Sequence, residues 1–195
     1  MKKIGIFGGS FNPIHNGHIA LARQLRELAG LNEVWLMVSP LNPLKQSSAD
    51  LLPDHLRLEM AQLALQGETG LKASDYEFHL PKPSYTWNTL QALHNDYPDD
   101  VFTLLIGADN WQLFHHWRNY ADILAHYPIV IYPRQGSPIN AASLPKGVQL
   151  VNTQLYNVSS TEVRCRIREG KPVDQLIPAS IVERAQTYYA IHHGK

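Results

Sequence analysis

The sequence predicts an α/β protein in which a doubly wound, mostly parallel sheet carries helices on both faces. Short runs rich in apolar and β-branched residues alternate with amphipathic stretches of helical length. Gly30, Gly67 and Gly170 stand where the C-caps of helices are expected. Strands that alternate with helices pair in parallel through right-handed crossovers, so the loops after the strands share one edge of the sheet. A ligand site is expected at that edge, near the point where the strand order reverses.

Six strands and seven helices are predicted along the chain. The strands are the short apolar runs Ile4–Phe7, Glu33–Val38, Leu71–Phe78, Val101–Ile106, Ile129–Tyr132 and Val148–Val151. The helices are the amphipathic stretches Gly17–Ala29, Asp54–Leu65, Thr86–His94, Asp109–His115, Tyr120–His126, Ser160–Arg168 and Ala179–Ala190. The stretch Pro133–Gly147 is rich in Gly, Pro, Ser and Asn, which predicts a mobile loop.

Composition narrows the class of protein. The chain has 195 residues, of which 44% are hydrophobic and 17% charged, and this favours a single globular domain over residues 1–195. The formal net charge is zero with histidine neutral, so a long nucleic acid is not an expected partner. No apolar run approaches the roughly 20 residues of a membrane span, and no signal peptide precedes the first strand. Cys165 is the only cysteine, which excludes an internal disulfide and favours a cytoplasmic location.

The first predicted strand runs directly into a glycine-containing turn. Gly8 and Gly9 allow the backbone to approach a ligand closely, and their amides could bind phosphate together with those of Ser10 and Phe11. The helix that begins near Gly17 directs its positive end into the same space. An ordinary tight turn is the alternative. The spacing of the glycines does not match the fingerprint of a redox dinucleotide-binding domain.

His15 and His18 are three residues apart, so both imidazole rings lie on one side of this helix start. Such a pair suits phosphate binding or a metal ion. The metal site is the weaker interpretation, because neither a cysteine nor a third ligand is evident nearby.

A second polar cluster stands near the end of the chain. Ser159, Ser160 and Thr161 precede Glu162 and Arg164 at the start of a predicted helix. Consecutive hydroxyl residues are typical of a helix N-cap, so an ordinary capped helix is one interpretation. The other is a second phosphate site, in which amides, hydroxyls and the guanidinium bind anionic oxygens.

Both clusters resemble known motifs. Gly-Ser-Phe-Asn-Pro-Ile-His-Asn-Gly-His at 9–18 resembles the signature of the nucleotidyltransferase superfamily that carries a His-x-x-His motif and includes the class I aminoacyl-tRNA synthetases. Ser-Ser-Thr-x-Val-Arg, which ends at Arg164, resembles the second motif of that superfamily. The resemblance implies a Rossmann-like fold. It also implies that both histidines contact ATP phosphates and that the second motif holds the β- and γ-phosphates. The signature often has Asp where this chain has Asn12.

Segments in the middle of the chain resemble the nicotinate-nucleotide adenylyltransferases. They are Pro40–Lys45, Pro83–Leu90, Leu105–Trp111 and the Tyr-Pro-Arg that ends at Arg134. The resemblance implies that Lys45 reaches a phosphate and that Gly107 and Asp109 face the nucleotide. It further implies a pyridine pocket formed by Tyr85, Thr86 and Trp117, with Arg134 near the phosphate of the acceptor. The chain departs from the family pattern at Leu44 and Asn88.

The implied reaction is attack by the phosphate of nicotinate mononucleotide on the α-phosphorus of ATP, with His15, His18 and Lys45 as the catalytic residues. Mg²⁺ is expected to be held mainly by phosphates and water, near Asp109. Pantetheine-phosphate adenylyltransferase and a non-catalytic nucleotide-binding module are the alternatives. Chain length and neutral charge argue against a fragment of an aminoacyl-tRNA synthetase.

Selectivity for the acid over the amide acceptor is also expected. Ser84 to Thr86 precede a predicted helix, whose free amides favour an anion. Lys82 is the only Lys or Arg close to Tyr85 in this segment, so the backbone is predicted to provide the selectivity. Trp111 and Phe114 are predicted to be core residues, whereas His115 and His116 are predicted to be exposed.

Overall fold

The computed structural model describes residues 1–40 and 51–191, and these residues include a six-stranded sheet. Its strands are β1 (Lys3–Gly9), β2 (Glu33–Val38), β3 (Leu71–Ser74), β4 (Val101–Gly107), β5 (Ile129–Tyr132) and β6 (Val148–Leu150). Their order is β3-β2-β1-β4-β5-β6, and every neighbouring pair is parallel. The order reverses between β1 and β4, so the predicted doubly wound α/β fold is confirmed.

The helices are α1 (Asn16–Leu28), α2 (Asp54–Ala64), α3 (Thr86–Asp96), α4 (Ala108–Gln112), α5 (Tyr120–His126), α6 (Ser160–Arg168) and α7 (Val182–Ile191). Short 3-10 helices cover Tyr76–His79, Phe114–His116, Ala141–Ser143 and Ala179–Ile181. No helix in the described part of the chain is long and apolar enough to cross a membrane.

Two hydrophobic clusters lie on opposite faces of the sheet. Phe7 and Leu105 belong to one cluster, and their chain neighbours Ile6 and Leu104 belong to the other. Successive residues of a strand point to opposite faces, so this alternation shows that both faces are buried. The first cluster packs against α1, α2, α6 and α7, and the second against α3, α4 and α5.

Three predicted elements differ from the structure by more than two residues at one end. β3 ends at Ser74 because a 3-10 turn follows, in which the amide of Phe78 donates to the carbonyl of Asp75 at 2.7 Å. The helix predicted over Asp109–His115 is divided at Leu113, because the amides of Leu113 and His116 each bond to the carbonyl three residues earlier. The last predicted helix begins as a 3-10 turn over Ala179–Ile181.

The predicted first strand is also longer than expected. Gly8 and Gly9 belong to β1, where they pair with Met37 and Val38 of β2, so the turn begins at Ser10. The stretch predicted as a mobile loop contains the 3-10 helix Ala141–Ser143 and an antiparallel bridge between Arg134 and Ser137.

Candidate active site

A pocket lies at the carboxyl edge of the sheet, and we call it the strand-edge pocket. Gly8, Gly9 and Gly107 line it from the ends of β1 and β4. Tyr85, Thr86 and Trp117 line it from the segments that cover this edge. The structure therefore brings the two strand ends together with the three residues predicted to form the pyridine pocket. The pocket lies where the strand order reverses, as expected for this fold class.

The two histidines form a reciprocal cap at the start of α1. The side chain of His15 accepts a hydrogen bond from the amide of His18 at Nδ1, and the His18 side chain accepts one from the amide of His15, both at 3.3 Å. Their rings stack with centroids 3.6 Å apart and planes 19° apart. Because both Nδ1 atoms are acceptors, the neutral rings carry their protons on Nε2. The Nε2–H of His15 can therefore donate to an anion.

Burial keeps His15 neutral. Its side chain is 6% exposed, and desolvation, together with the positive charge of Arg134, lowers the pKa of His15 from 6.5 to about 4. At neutral pH His15 is therefore a hydrogen-bond donor without a net charge.

The depressed pKa of His15 predicts a dependence of stability on pH. The unfolded state binds this proton near pH 6.5 and the folded state only near pH 4, so the stabilisation is complete above pH 6.5 and is lost as pH falls. The group should contribute about 3 kcal/mol to the difference in unfolding free energy between pH 7 and pH 4. Urea denaturation of the wild type and of His15→Asn, which keeps a capping side chain, measures this contribution as the difference between their pH profiles. Parallel profiles would contradict it.

Asn12 and Phe11 hold the turn between β1 and α1. Phe11 is buried at a positive φ of 43°, and its ring meets that of His18 edge-on at 5.0 Å. Asn12 is buried, and its Oδ1 accepts from the hydroxyl of Tyr189 at 2.7 Å and from the amide of Leu52 at 3.2 Å. The amide side chain thus provides the acceptor that an Asp would offer, without placing a charge in the interior.

Arg57 is a residue that sequence reasoning missed. It is 0% exposed, and its guanidinium donates to the carbonyls of Leu52 at 2.9 Å, Ser10 at 2.5 Å and Ser39 at 3.0 Å. These carbonyls belong to the segments that follow β1 and β2 and precede α2. Arg57 therefore joins the turn after β1 to the segments that follow β2 and precede α2. In the sequence it is one polar residue in an amphipathic helix, and its three partners become apparent only in the fold.

The second polar cluster packs directly on the first. Ser159 is the N-cap of α6, and its side chain accepts from the amide of Glu162 at 3.1 Å, so the capped-helix interpretation is correct. Ser160 Oγ donates to the carbonyl of Pro13 at 2.9 Å. Arg164 Nη1 donates to the carbonyl of Asn12 at 2.8 Å. The N-termini of α1 and α6 therefore meet at one turn. Helix N-termini bind anions, so this arrangement suits a polyphosphate.

Arg164→Ala is expected to raise the KM for ATP more than it lowers kcat. A guanidinium that holds non-reacting phosphates contributes equally to binding in the ground state and in the transition state. Initial-rate kinetics with ATP varied at saturating acceptor measure both parameters. A large fall in kcat at constant KM would place Arg164 at the reacting phosphate instead.

Asp109 and Arg134 stand together after β4 and β5. Asp109 Oδ1 lies 3.8 Å from Arg134 Nε, and both side chains are about half exposed. A Cβ at Gly107 would meet both of them, so a larger residue at the end of β4 would require these side chains to shift. Within the described residues, no group of three His, Cys, Asp or Glu side chains could hold a metal ion.

Glu77 is a second residue that sequence reasoning missed. It lines the strand-edge pocket, is 8% exposed and accepts a hydrogen bond from Thr89 Oγ1 at 2.9 Å. Burial raises the pKa of its carboxyl group. The sequence predicted a strand at this position, whereas the 3-10 helix turns the side chain into the pocket.

The aromatic residues after β4 follow most of the predictions. Phe114 is buried, Trp111 is half-buried and stacks on it at 5.2 Å, and Trp117 lines the pocket. His115 and His116 are exposed as predicted, but His116 also lines the pocket. Asn88 is exposed on α3. Lys45 and Leu44 lie outside the described residues.

Comparison with known proteins identifies the family. Residues 6–166 match the model of the cytidylyltransferase-like family. A probable nicotinate-nucleotide adenylyltransferase of Bacteroides fragilis is 45% identical over 182 residues, which cover 93% of this chain and 90% of that protein. A protein of the same name from Bacteroides thetaiotaomicron is 46% identical over 186 residues, which cover 95% of this chain and 92% of that protein. The chain belongs to the nicotinate-nucleotide adenylyltransferase family.

A solved structure supports the fold of this family. Nicotinic acid mononucleotide adenylyltransferase of Plasmodium falciparum, complexed with NaAD, superimposes with a TM-score of 0.77 at 20% identity, over 96% of this chain and 98% of that chain. The family resemblance drawn from the two terminal motifs and the middle segments is confirmed by the family model and the Bacteroides relatives.

Proposed function

We propose that the protein transfers the adenylyl group of ATP to nicotinate mononucleotide, giving nicotinate adenine dinucleotide and pyrophosphate, a step of NAD biosynthesis. Membership of the nicotinate-nucleotide adenylyltransferase family supports this activity. The observation that carries it is the union of the two polar clusters through the bonds Ser160–Pro13 and Arg164–Asn12. This union supports the proposal of one polyphosphate site beside the strand-edge pocket.

The chemistry needs little from a general base. The phosphate of the acceptor is already ionised at neutral pH, and its oxygen attacks the α-phosphorus of ATP while pyrophosphate leaves. Catalysis then depends on aligning two polyanions and on stabilising the charge that develops between them. His15 and His18 would donate from Nε2 to the phosphate oxygens, and Lys45 would contribute a positive charge.

Each half of the site has a distinct part in this proposal. Amides of Gly8, Gly9, Ser10 and Phe11, with Ser159, Ser160, Thr161 and Arg164, would bind ATP. Gly107 and Asp109 would face its nucleoside. Tyr85, Thr86 and Trp117 would hold the pyridine nucleotide, with Arg134 near its phosphate.

Adenylyl transfer from ATP generally involves a divalent cation, and we propose Mg²⁺. Mg²⁺ takes oxygen ligands, largely phosphates and water, and often one or two carboxylates. Asp109 is half exposed near the end of β4, which fits the part of a single carboxylate ligand. When bound, Mg²⁺ would neutralise charge on the phosphates.

A coupled pyrophosphate assay tests the activity. ATP is offered with nicotinate mononucleotide, nicotinamide mononucleotide or phosphopantetheine, and the nicotinate compound should give the highest kcat/KM. Fastest turnover with phosphopantetheine would identify a pantetheine-phosphate adenylyltransferase. Binding of ATP with no pyrophosphate release from any acceptor would identify a non-catalytic nucleotide-binding module.

A further inference from the structure

Arg118 stands beside the residues proposed to hold the pyridine ring. It follows Trp117 in the chain, is exposed, and lines the strand-edge pocket. Its guanidinium carbon lies 4.8 Å from the centroid of the Tyr85 ring. The segment around Tyr85 offered only Lys82 as a nearby cation, so the structure adds a positive charge that the sequence did not indicate.

Arg118 differs from the other cations near this edge because it has no acidic partner among the described residues. Lys82 Nζ lies 3.8 Å from Asp54 Oδ2, and Arg134 Nε lies 3.8 Å from Asp109 Oδ1. Arg118 makes no ion pair with any residue in the ranges 1–40 and 51–191. Among Lys82, Arg118 and Arg134, Arg118 is therefore the cation that is available to an anionic ligand.

The Tyr85 ring limits the freedom of that guanidinium. A planar guanidinium over an aromatic face gains cation–π attraction, and this contact fixes its orientation before the ligand arrives. Tyr85 is also the N-cap of α3, an eleven-residue helix whose positive end lies at the same place. Two sources of positive potential thus coincide at this side of the pocket.

A buried carboxyl group in the same pocket bears on the choice between an acidic and an amide ligand. Glu77 lines the pocket at 8% exposure, and Thr89 donates to its carboxyl group. A carboxyl oxygen accepts a hydrogen bond from a carboxamide NH₂, whereas a carboxylate ligand has no N–H to donate to it. A preference for an acidic ligand therefore needs a donor or a positive charge elsewhere in the pocket.

We propose that Arg118 is a specificity-determining residue whose guanidinium, held over the Tyr85 ring, favours an acceptor bearing a pyridine carboxylate over one bearing a carboxamide. The inference rests on the proposed function. A guanidinium offers two parallel N–H donors to a carboxylate, whereas the NH₂ of a carboxamide would place a donor against those donors. The backbone amides of α3 then assist this selection and do not provide it alone.

The test is the Arg118→Gln variant, measured with nicotinate mononucleotide and nicotinamide mononucleotide at saturating ATP. The value of kcat/KM for the acid should fall by about ten- to one-hundred-fold, as for loss of a charge-assisted hydrogen bond. The value for the amide should stay within about twofold. Tyr85→Leu should lower the acid preference in the same direction, whereas Tyr85→Phe, which keeps the ring, should retain it.

Two control variants separate Arg118 from other cations. Arg184→Gln removes an exposed arginine of α7 and should leave both acceptors unchanged. His116→Gln removes the other basic side chain at the pocket. If that variant, and not Arg118→Gln, abolishes the acid preference, the assignment to Arg118 is wrong. An equal fall for both acceptors, or no fall for either, in Arg118→Gln also overturns it.

Failure of the proposed function would be recognised separately. If the wild type released no pyrophosphate with either pyridine nucleotide, that function would be wrong. Calorimetric binding of the two nucleotides to the wild type and Arg118→Gln would still test the selectivity. Equal loss of affinity for acid and amide would refute the inference in that case.

Discussion

His18→Ala should lower kcat by about 100- to 1,000-fold, the loss typical of removing one preorganised donor to a transition state. The ring of His18 is held from two sides, by the stacked His15 ring at 3.6 Å and by the edge of Phe11 at 5.0 Å. Its Nδ1 accepts a hydrogen bond from the amide of His15, which fixes the orientation of the ring. Because that donor acts mainly on charge that develops during transfer, kcat should change more than the KM values.

Pyrophosphate release at saturating substrates measures the effect, and thermal denaturation verifies that the variant folds. His115→Ala is the matched control, because His115 is exposed in the 3-10 helix after α4 and should leave kcat unchanged. Near-normal turnover in folded His18→Ala would show that this imidazole does not act on the reacting phosphate. His18→Gln keeps a side-chain donor and should recover part of the lost rate.

Arg57→Met should lower the unfolding free energy by about 3–5 kcal/mol, because three carbonyls lose their charged hydrogen-bond donor. The methionine fills much of the volume but leaves the carbonyls of Ser10, Leu52 and Ser39 without their donors. Each buried acceptor left unsatisfied costs about 1–3 kcal/mol. A fall in Tm of roughly 10 °C corresponds to this loss for a domain of this size.

Urea denaturation with an unchanged m-value measures the stability of Arg57→Met. Arg57→Lys keeps the charge but not the three-way geometry and should recover only part of the stability. Arg184→Met is the control, since Arg184 forms an exposed ion pair with Glu59 and its removal should leave the stability nearly unchanged. A loss below about 1 kcal/mol for Arg57→Met would show that water replaces the guanidinium at all three carbonyls.

The parts of the molecule that sequence reasoning found are those encoded by local periodicity. Buried strands such as Glu33–Val38 have matching bounds in the structure, because runs of apolar residues on both faces are typical of a parallel sheet. The strand predicted as Leu71–Phe78 was too long, because Tyr76 and Phe78 have strand propensity while the 3-10 turn depends on Ser74 and Asp75.

The contacts that were missed join residues distant in the chain. Asn12 and Tyr189 are 177 residues apart, and Arg57 reaches Ser10 across 47 residues. Arg118 lies in the turn before α5 and Tyr85 is the N-cap of α3, and neither position has a local pattern that predicts their contact. Such pairs are set by the packing of whole elements, which single-sequence periodicity does not encode.

The bond between Tyr189 and Asn12 has a consequence for synthesis of the protein. The turn between β1 and α1, which we propose binds phosphate, is supported by residues of α6 and α7. A nascent chain on the ribosome can pair β1 with β2 early, since both strands emerge together. The proposed ATP site is complete only after residues 160–189 have left the exit tunnel. Competence to bind nucleotide is therefore expected to follow the synthesis of α7.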